Sequence, residues 1–264
     1  MTEPLISSGL NTEEGPSNLR RIERTVNDRS LCDFYHTVEL ADGSLTNAQW
    51  DLRGRVEEYL GEVDFSSKSV LEIGPASGFL SFHMEKEGAK VTCVEPPIET
   101  FWDLVPRTGV DLQALKIKFG EHIQRIRSSF WYLHTSYQSK VQLYEANAYD
   151  LPTELGQFDI GLLGSILLHC SCPVRMIESV SRRVENTMII CDTYHEHLGS
   201  GPVCSLLPSM DNSTIDTWWL FTPQFFVNYL GVLGFSRSRI VRHRQLIVAT
   251  NAMQEMFTVV ANRS

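Results

Sequence analysis

The chain has 264 residues, is 42% hydrophobic and 21% charged, and carries a formal net charge of −9. That length suits one large domain, or one domain with an extension, with enough apolar residues for a full core. The acidity argues against a surface that grips RNA or DNA through phosphates, and no apolar run reaches the length of a membrane span. Met1-Thr2-Glu3-Pro4-Leu5 lacks the apolar stretch of a signal peptide. Of the six cysteines, Cys32, Cys93, Cys170, Cys172, Cys191 and Cys204, several fall in expected strands, where a free thiol acts as a small hydrophobe. A reduced, cytoplasmic setting is the expectation. Cys170-Ser171-Cys172 has no second pair near it, so no metal is expected there.

Residues 1–44 read as an N-terminal extension, partly disordered, that serves as a lid. Within it Asn18 to Val26 suits a short helix, and Phe34 to Leu40 alternates like a strand before the turn Ala41-Asp42-Gly43-Ser44. Tyr35 and His36 either pack in this layer or reach cofactor or substrate from above. Residues 45–264 form the main domain. Thr46 is placed to cap a helix from Asn47 to Leu60, with Trp50, Leu52, Val56 and Leu60 on one face. Val70, Leu71 and Ile73 suit a buried strand. Gly74-Pro75-Ala76-Ser77-Gly78 then makes a tight turn, Phe79 to Lys86 a helix, and Val91 to Val94 a second strand ending at Glu95. Residues 111–135 give the longest helical pattern, closed by the aromatic cluster Phe130-Trp131-Tyr132, which reads as core. Val141 to Tyr144 is a third strand. Phe158 to Ser165 is a fourth strand and its exit, followed by a helix from Pro173 to Val184. Thr187 to Cys191 is a fifth, running into Asp192-Thr193-Tyr194-His195-Glu196-His197. Leu198 to Ser213 is an irregular loop of the length functional lids have. Thr222 and Pro223 suit the cap and first position of a helix that Gly234 stops. Phe235 to Val241 and Met256 to Ala261 complete the sheet as an antiparallel edge pair. The expected fold is α/β: a doubly wound, mostly parallel sheet of seven strands with an antiparallel C-terminal edge strand and an N-terminal helical lid.

The chemistry centres on Glu72 to Glu95. No G-x-G-x-x-G can be written there, so the phosphate-binding fingerprint of a dinucleotide site is absent. Glu72, just before the first glycine, would repel a phosphate and attract the ammonium of an amino acid. Glu95, at the end of the second strand, is placed to accept both hydroxyls of a ribose. The spacing E-x-G-x-A-x-G resembles motif I of the class I S-adenosylmethionine (SAM) methyltransferases, with Ala76 where a glycine is common. The resemblance implies that Glu72, Gly74, Ala76, Gly78 and Glu95 line the cofactor. It also implies that Asn147 and Ala148, where the family often has an acid and its neighbour, meet the adenine, and that Gly164 borders the site. Gly161 to His169, Leu206-Leu207-Pro208, Trp218 to Pro223 and Leu233-Gly234-Phe235 resemble segments of the tRNA wobble-uridine 5-oxyacetic acid methyltransferases.

Methyl transfer from a sulfonium is an in-line displacement, so a protein chiefly aligns groups and excludes water. A hydroxyl acceptor gains from a base, and His169, His195 and Asp192, near strand ends, are the candidates. Trp218 and Trp219 follow the long loop and are candidates to wall an aromatic or cationic substrate with Tyr35. His195 and His197 would share one side of a strand, but no third ligand is identifiable and no metal site is expected. The expected activity is SAM-dependent methylation of an O or N atom on a small metabolite, sugar or natural product. The alternatives are a tRNA-modifying enzyme and a non-catalytic binding module. The expected partners are a small-molecule substrate and a possible second copy of the chain, without membrane or nucleic acid.

Overall fold

The computed structural model describes residues 19–98 and 103–264. Residues 1–18, where disorder was expected, lie outside the described residues. In chain order the elements are β1 (Arg20–Ile22), β2 (Trp50–Asp51), α1 (Val56–Tyr59), β3 (Ser69–Ile73), α2 (Phe79–Lys86), β4 (Lys90–Glu95) and α3 (Leu112–Tyr137). There follow β5 (Gln142–Glu145), β6 (Phe158–Gly164), α4 (Pro173–Ser181), β7 (Val184–Thr193), β8 (Cys204–Leu206), β9 (Trp219–Phe221), α5 (Pro223–Val232), β10 (Arg237–Ile247) and β11 (Ala252–Asn262).

Nine strands form one sheet in the order β1-β5-β4-β3-β6-β7-β11-β10-β2. β5, β4, β3, β6 and β7 run parallel. β11 is antiparallel to β7 and to β10. The chain direction reverses its order about β3, so the carboxyl ends of β3 and β6 diverge and leave the crevice where doubly wound sheets bind ligands. β3 is buried from Val70 to Ile73 because helices cover both faces. Val70 packs in the core under α2 and α3, whereas Leu71 and Ile73 pack in the core under α4 and α5.

Several sequence expectations need correction. The sheet has two more strands than expected, one added at each edge. Arg20–Ile22 is not helical but pairs antiparallel with β5, and Arg20 ion-pairs with Glu145. Residues 34–40 form no strand; they make only isolated bridges, His36 with Trp50 and Glu39 with Leu45. The helix expected from Asn47 to Leu60 shrinks to Val56–Tyr59. Thr46 does not cap it. Thr46 is buried, and its Oγ1 accepts from the Val38 N–H at 2.9 Å, fastening one arm of this layer to the other. The apolar residues at helical spacing are therefore served by an extended chain that reaches across the sheet to pair Trp50 and Asp51 with β10. The lid layer is irregular, with one 3-10 turn at Arg29–Leu31. The loop 198–213 also carries order, because Cys204–Leu206 pairs with Trp219–Phe221. Thr222 does precede α5 with Pro223 in its first turn, but its hydroxyl donates to Gly201 O at 2.6 Å and so ties down that loop. Among the described residues no helix is long and apolar enough to cross a membrane.

Candidate active site

The turn after β3 is held by backbone geometry. Gly74, Ala76 and Gly78 all adopt positive φ, at +72°, +51° and +84°. Glycine takes this region without strain; alanine does not. At Gly78 the need is absolute, because a Cβ would stand 2.4 Å from the Phe82 ring and 2.8 Å from the Phe130 ring. Gly74 donates to Val94 O at 3.0 Å, which closes the turn onto β4. Ser77, fully buried, accepts from the N–H groups of Tyr35 and His36 at 3.3 and 3.4 Å. The N-terminal layer is thereby fastened to the turn, and the His36 ring rests 5.6 Å from that of Phe79, the first residue of α2.

The two carboxylates flanking the turn have different surroundings. Glu72 is 2% exposed, and its Oε2 accepts from Ser81 Oγ at 2.5 Å, with Cys93 Sγ at 3.6 Å. Burial raises its pKa to about 7, against the lowering effect of those two hydrogen bonds. Its Oε2 is thus engaged in holding α2 to β3 and β4. Glu95 does border the crevice. Its carboxylate accepts from Arg127 Nη2 at 3.2 Å, and the Ala76 backbone N–H on the turn favours its charged form. Burial raises its pKa, and the Arg127 charge opposes the rise. Arg127, on α3, also reaches Glu145 at 3.3 Å and the Pro96 carbonyl at 2.5 Å. One buried guanidinium thus joins the ends of β4 and β5.

Beyond β5, Ala148 is buried, while Asn147 is exposed and its Oδ1 accepts from the Tyr149 N–H at 3.0 Å. This Asx turn aims the loop without engaging the Asn147 amide N–H groups. Tyr149 Oη donates to Asp103, which also accepts from Ser171 N and Oγ, each at 2.8 Å. Asp103 therefore joins the loop after β5 to the loop after β6.

At the end of β6, a Cβ on Gly164 would lie 3.3 Å from Tyr59 Oη. Ser165 has φ +51°, and its Oγ is 3.0 Å from Tyr59 Oη. A non-glycine residue held in this region marks strain that surrounding structure maintains, as binding sites often do. A strap over residues 207–219 crosses nearby. Trp218 Nε1 donates to Asp103 O and Trp219 Nε1 to Cys170 O at 2.9 Å, so both half-buried indoles have their polar edge anchored in protein. Arg107 holds the strap through Thr214 O at 2.7 Å, Ser209 O at 2.9 Å and Asn212 Oδ1 at 2.7 Å. His169 Nδ1 lies 2.5 Å from Asp216 O. For Tyr35, from the opposite layer, burial chiefly raises the phenol pKa, Trp50 opposes the rise and Asp216 adds to it.

At the end of β7, Asp192 is 2% exposed. Its Oδ1 accepts from Thr193 N at 2.7 Å and Thr193 Oγ1 at 3.3 Å, while its Oδ2 is buried without a partner. Burial raises its pKa to about 7. His195 Nε2 is 2.9 Å from Thr193 Oγ1, so Asp192, Thr193 and His195 form one hydrogen-bonded chain. Burial, then the neighbouring His197, lowers the pKa of His195. His197 is in a 3-10 turn, Glu196–Leu198, not on a strand, with its ring 5.7 Å from that of His195. Among the described residues no three His, Cys, Asp or Glu side chains gather to hold a metal ion.

The structure thus groups Gly74, Ala76, Gly78 and Glu95 around the turn, and separately groups Asp192 with His195. It engages Glu72 Oε2 with Ser81, and it ties His169, in the turn after β6, to the strap at Asp216 O. Sequence reading missed Arg127, Asp103, Arg107, Tyr59 and Thr193. All but Thr193, which bridges its near neighbours Asp192 and His195, act over a long sequence separation, and of those only Arg127, a charge among apolar residues of α3, left a local trace.

No family model matches the sequence, so the likeness to the wobble-uridine enzymes gains no support, and no curated protein matches it significantly. Solved structures do match. The crystal structure of EvdMO1 aligns with 89% of this chain at a TM-score of 0.53 and 16% identity, and the chain spans 46% of that longer protein. The N-terminal domain of EvdMO1, crystallised with S-adenosylhomocysteine (SAH) and D-fucose, aligns at a TM-score of 0.45 and 18% identity, over 80% of this chain and 82% of that one. Magnesium protoporphyrin IX methyltransferase from Synechocystis PCC 6803, with bound SAM, aligns at 0.47 and 13%, over 81% and 78%. The chain has the class I methyltransferase fold.

Proposed function

We propose that the chain is a SAM-dependent methyltransferase that transfers a methyl group to an O or N atom of a small metabolite, sugar or natural product. The observation that carries this reading is the Glu95 carboxylate at the end of β4, beside a turn of three positive-φ residues whose Ala76 N–H favours its charged form. A carboxylate there suits ribose hydroxyls. The turn lacks the G-x-G-x-x-G of a pyrophosphate site.

Glu95 would hold the ribose, the Gly74–Gly78 backbone would take the amino-acid end, and the loop at Asn147 and Ala148 would cover the adenine. When bound, SAM supplies a methyl group on a positively charged sulfur. Residues of this chain then position and shield the acceptor. The strap held by Arg107 and the layer held by Ser77 close over the crevice and exclude water. Asp192 and His195 sit on the β7 side, where the acceptor enters. With Thr193 donating to Asp192 and His195 Nε2–H donating to Thr193, His195 keeps a lone pair on Nδ1 to take the acceptor's proton. Residues 19–44 act as part of the lid. Incubating the purified chain with methyl-labelled SAM and a lysate tests this. Label in the small-molecule fraction is the expected result; label confined to tRNA, or none transferred, would defeat the reading.

A further inference from the structure

Glu72 was the group expected to meet the cofactor's ammonium, and its Oε2 is bonded to Ser81. An ammonium donates three hydrogen bonds, so the amino-acid end of a SAM-like ligand has room for a further acceptor near the turn. Among the described residues, four side-chain N or O atoms are buried without a partner, and two of them belong to groups that can accept: Asp192 Oδ2 at the β7 end and His36 Nδ1 over the turn. His36 is 7% exposed. Its own N–H contacts Ser77 Oγ, and its ring lies against Tyr35, at 4.9 Å, and Phe79. Ser77 and Phe79 flank Gly78, so three contacts fix the imidazole at the start of α2. A buried polar atom without a partner destabilises the fold, and a ligand that satisfied it would recover that cost.

On the reading that the chain binds SAM, we propose that His36 is the residue that accepts a hydrogen bond from the ammonium of the cofactor's amino-acid end. The ring suits the task because burial lowers its pKa to about 3. It stays neutral at working pH and keeps one lone pair, and a second positive charge never faces the ammonium or the sulfonium. The aromatic faces of Tyr35 and Phe79 beside it are likewise compatible with a cation.

The test measures binding of three probes to the full chain and to His36→Phe and His36→Asn. SAH carries both ammonium and carboxylate, decarboxylated SAM keeps the ammonium, and 5′-methylthioadenosine lacks the amino-acid end. His36→Phe is expected to weaken SAH and decarboxylated SAM at least tenfold and to leave methylthioadenosine within about twofold. His36→Asn, whose amide oxygen falls near Nδ1, is expected to restore most of the loss. Unchanged SAH affinity in His36→Phe, or an equal loss with methylthioadenosine, would overturn the assignment and leave the cofactor reading standing. Failure of the unmodified chain to bind any of the three would overturn both.

Discussion

The ends of β3, β4 and β5 and the ends of β6 and β7 border the same crevice but are built by different means. On the first side, backbone conformation does the work: three alternate positions take positive φ, and the Gly74 N–H closes the turn onto Val94 O. On the second side, distant side chains hold loops that have little order of their own. Arg107 holds the strap, Asp103 joins two loops, and Thr222 fastens the approach to β8. A site for an invariant cofactor gains from rigidity, whereas a site for a particular acceptor can be reshaped by changing loops on a fixed sheet. The difference teaches that this chain's cofactor chemistry is set locally and its acceptor choice is set by long-range ties.

The comparison breaks most visibly at Gly78. Gly78→Ala adds a Cβ against two buried rings at a positive φ and is expected to destabilise the fold by about 3 kcal/mol or more, read by denaturant unfolding. Glu95→Gln comes next. It should weaken SAH binding by about 2–3 kcal/mol, with a smaller loss in melting temperature, because Arg127 keeps Glu145 and Pro96 as partners. Equal SAH affinity in that variant would remove the ribose assignment.

Asp192→Asn sharpens the second side. Burial raises the folded-state pKa of Asp192 from 3.8 to about 7, so the folded state favours the protonated form. Its contribution is full below about pH 4 and is lost as pH rises through about 7. The amide has no such loss, so the variant should gain stability over the parent across that window, reaching about 4 kcal/mol at pH 8. Unfolding at pH 4 and pH 8 checks the sign; a constant difference would contradict it. Glu72, also raised to about 7, retains a parallel dependence in both proteins.

Arg107→Ala should raise the KM for the acceptor about tenfold by freeing the strap, with SAH affinity unchanged, as steady-state kinetics and calorimetry would show. The smallest effect is Ala76→Gly. It relieves a positive φ and should stabilise the turn by about 1 kcal/mol at most, with no loss of SAH binding.

How much was legible in the sequence follows the same division. β3, α2 and β4 were readable because glycines and short apolar runs encode them within thirty residues or so, and the C-terminal antiparallel pair was readable in part, since its strands run on to Arg237–Ile247 and Ala252–Asn262. The segment 34–60 misled because Trp50, Leu52, Val56 and Leu60 sit at helical spacing, yet tertiary pairing with β10 keeps Trp50 and Asp51 extended. Glu72 misled for a physical reason too. Sequence places it one step from the turn, but strand alternation turns its side chain toward α2, where Ser81 receives it. No local pattern reveals that Asp103, Arg107 or Tyr59 ends beside a partner more than a hundred positions away, or, for Asp103, nearly seventy.

The most direct test is a pair of calorimetric titrations of the purified full chain, one with SAH and one with NAD. The account expects saturable binding of SAH and none of NAD. Binding of NAD with no response to SAH would show that the carboxylate beside the turn does not decide the cofactor, and would contradict the account at its centre.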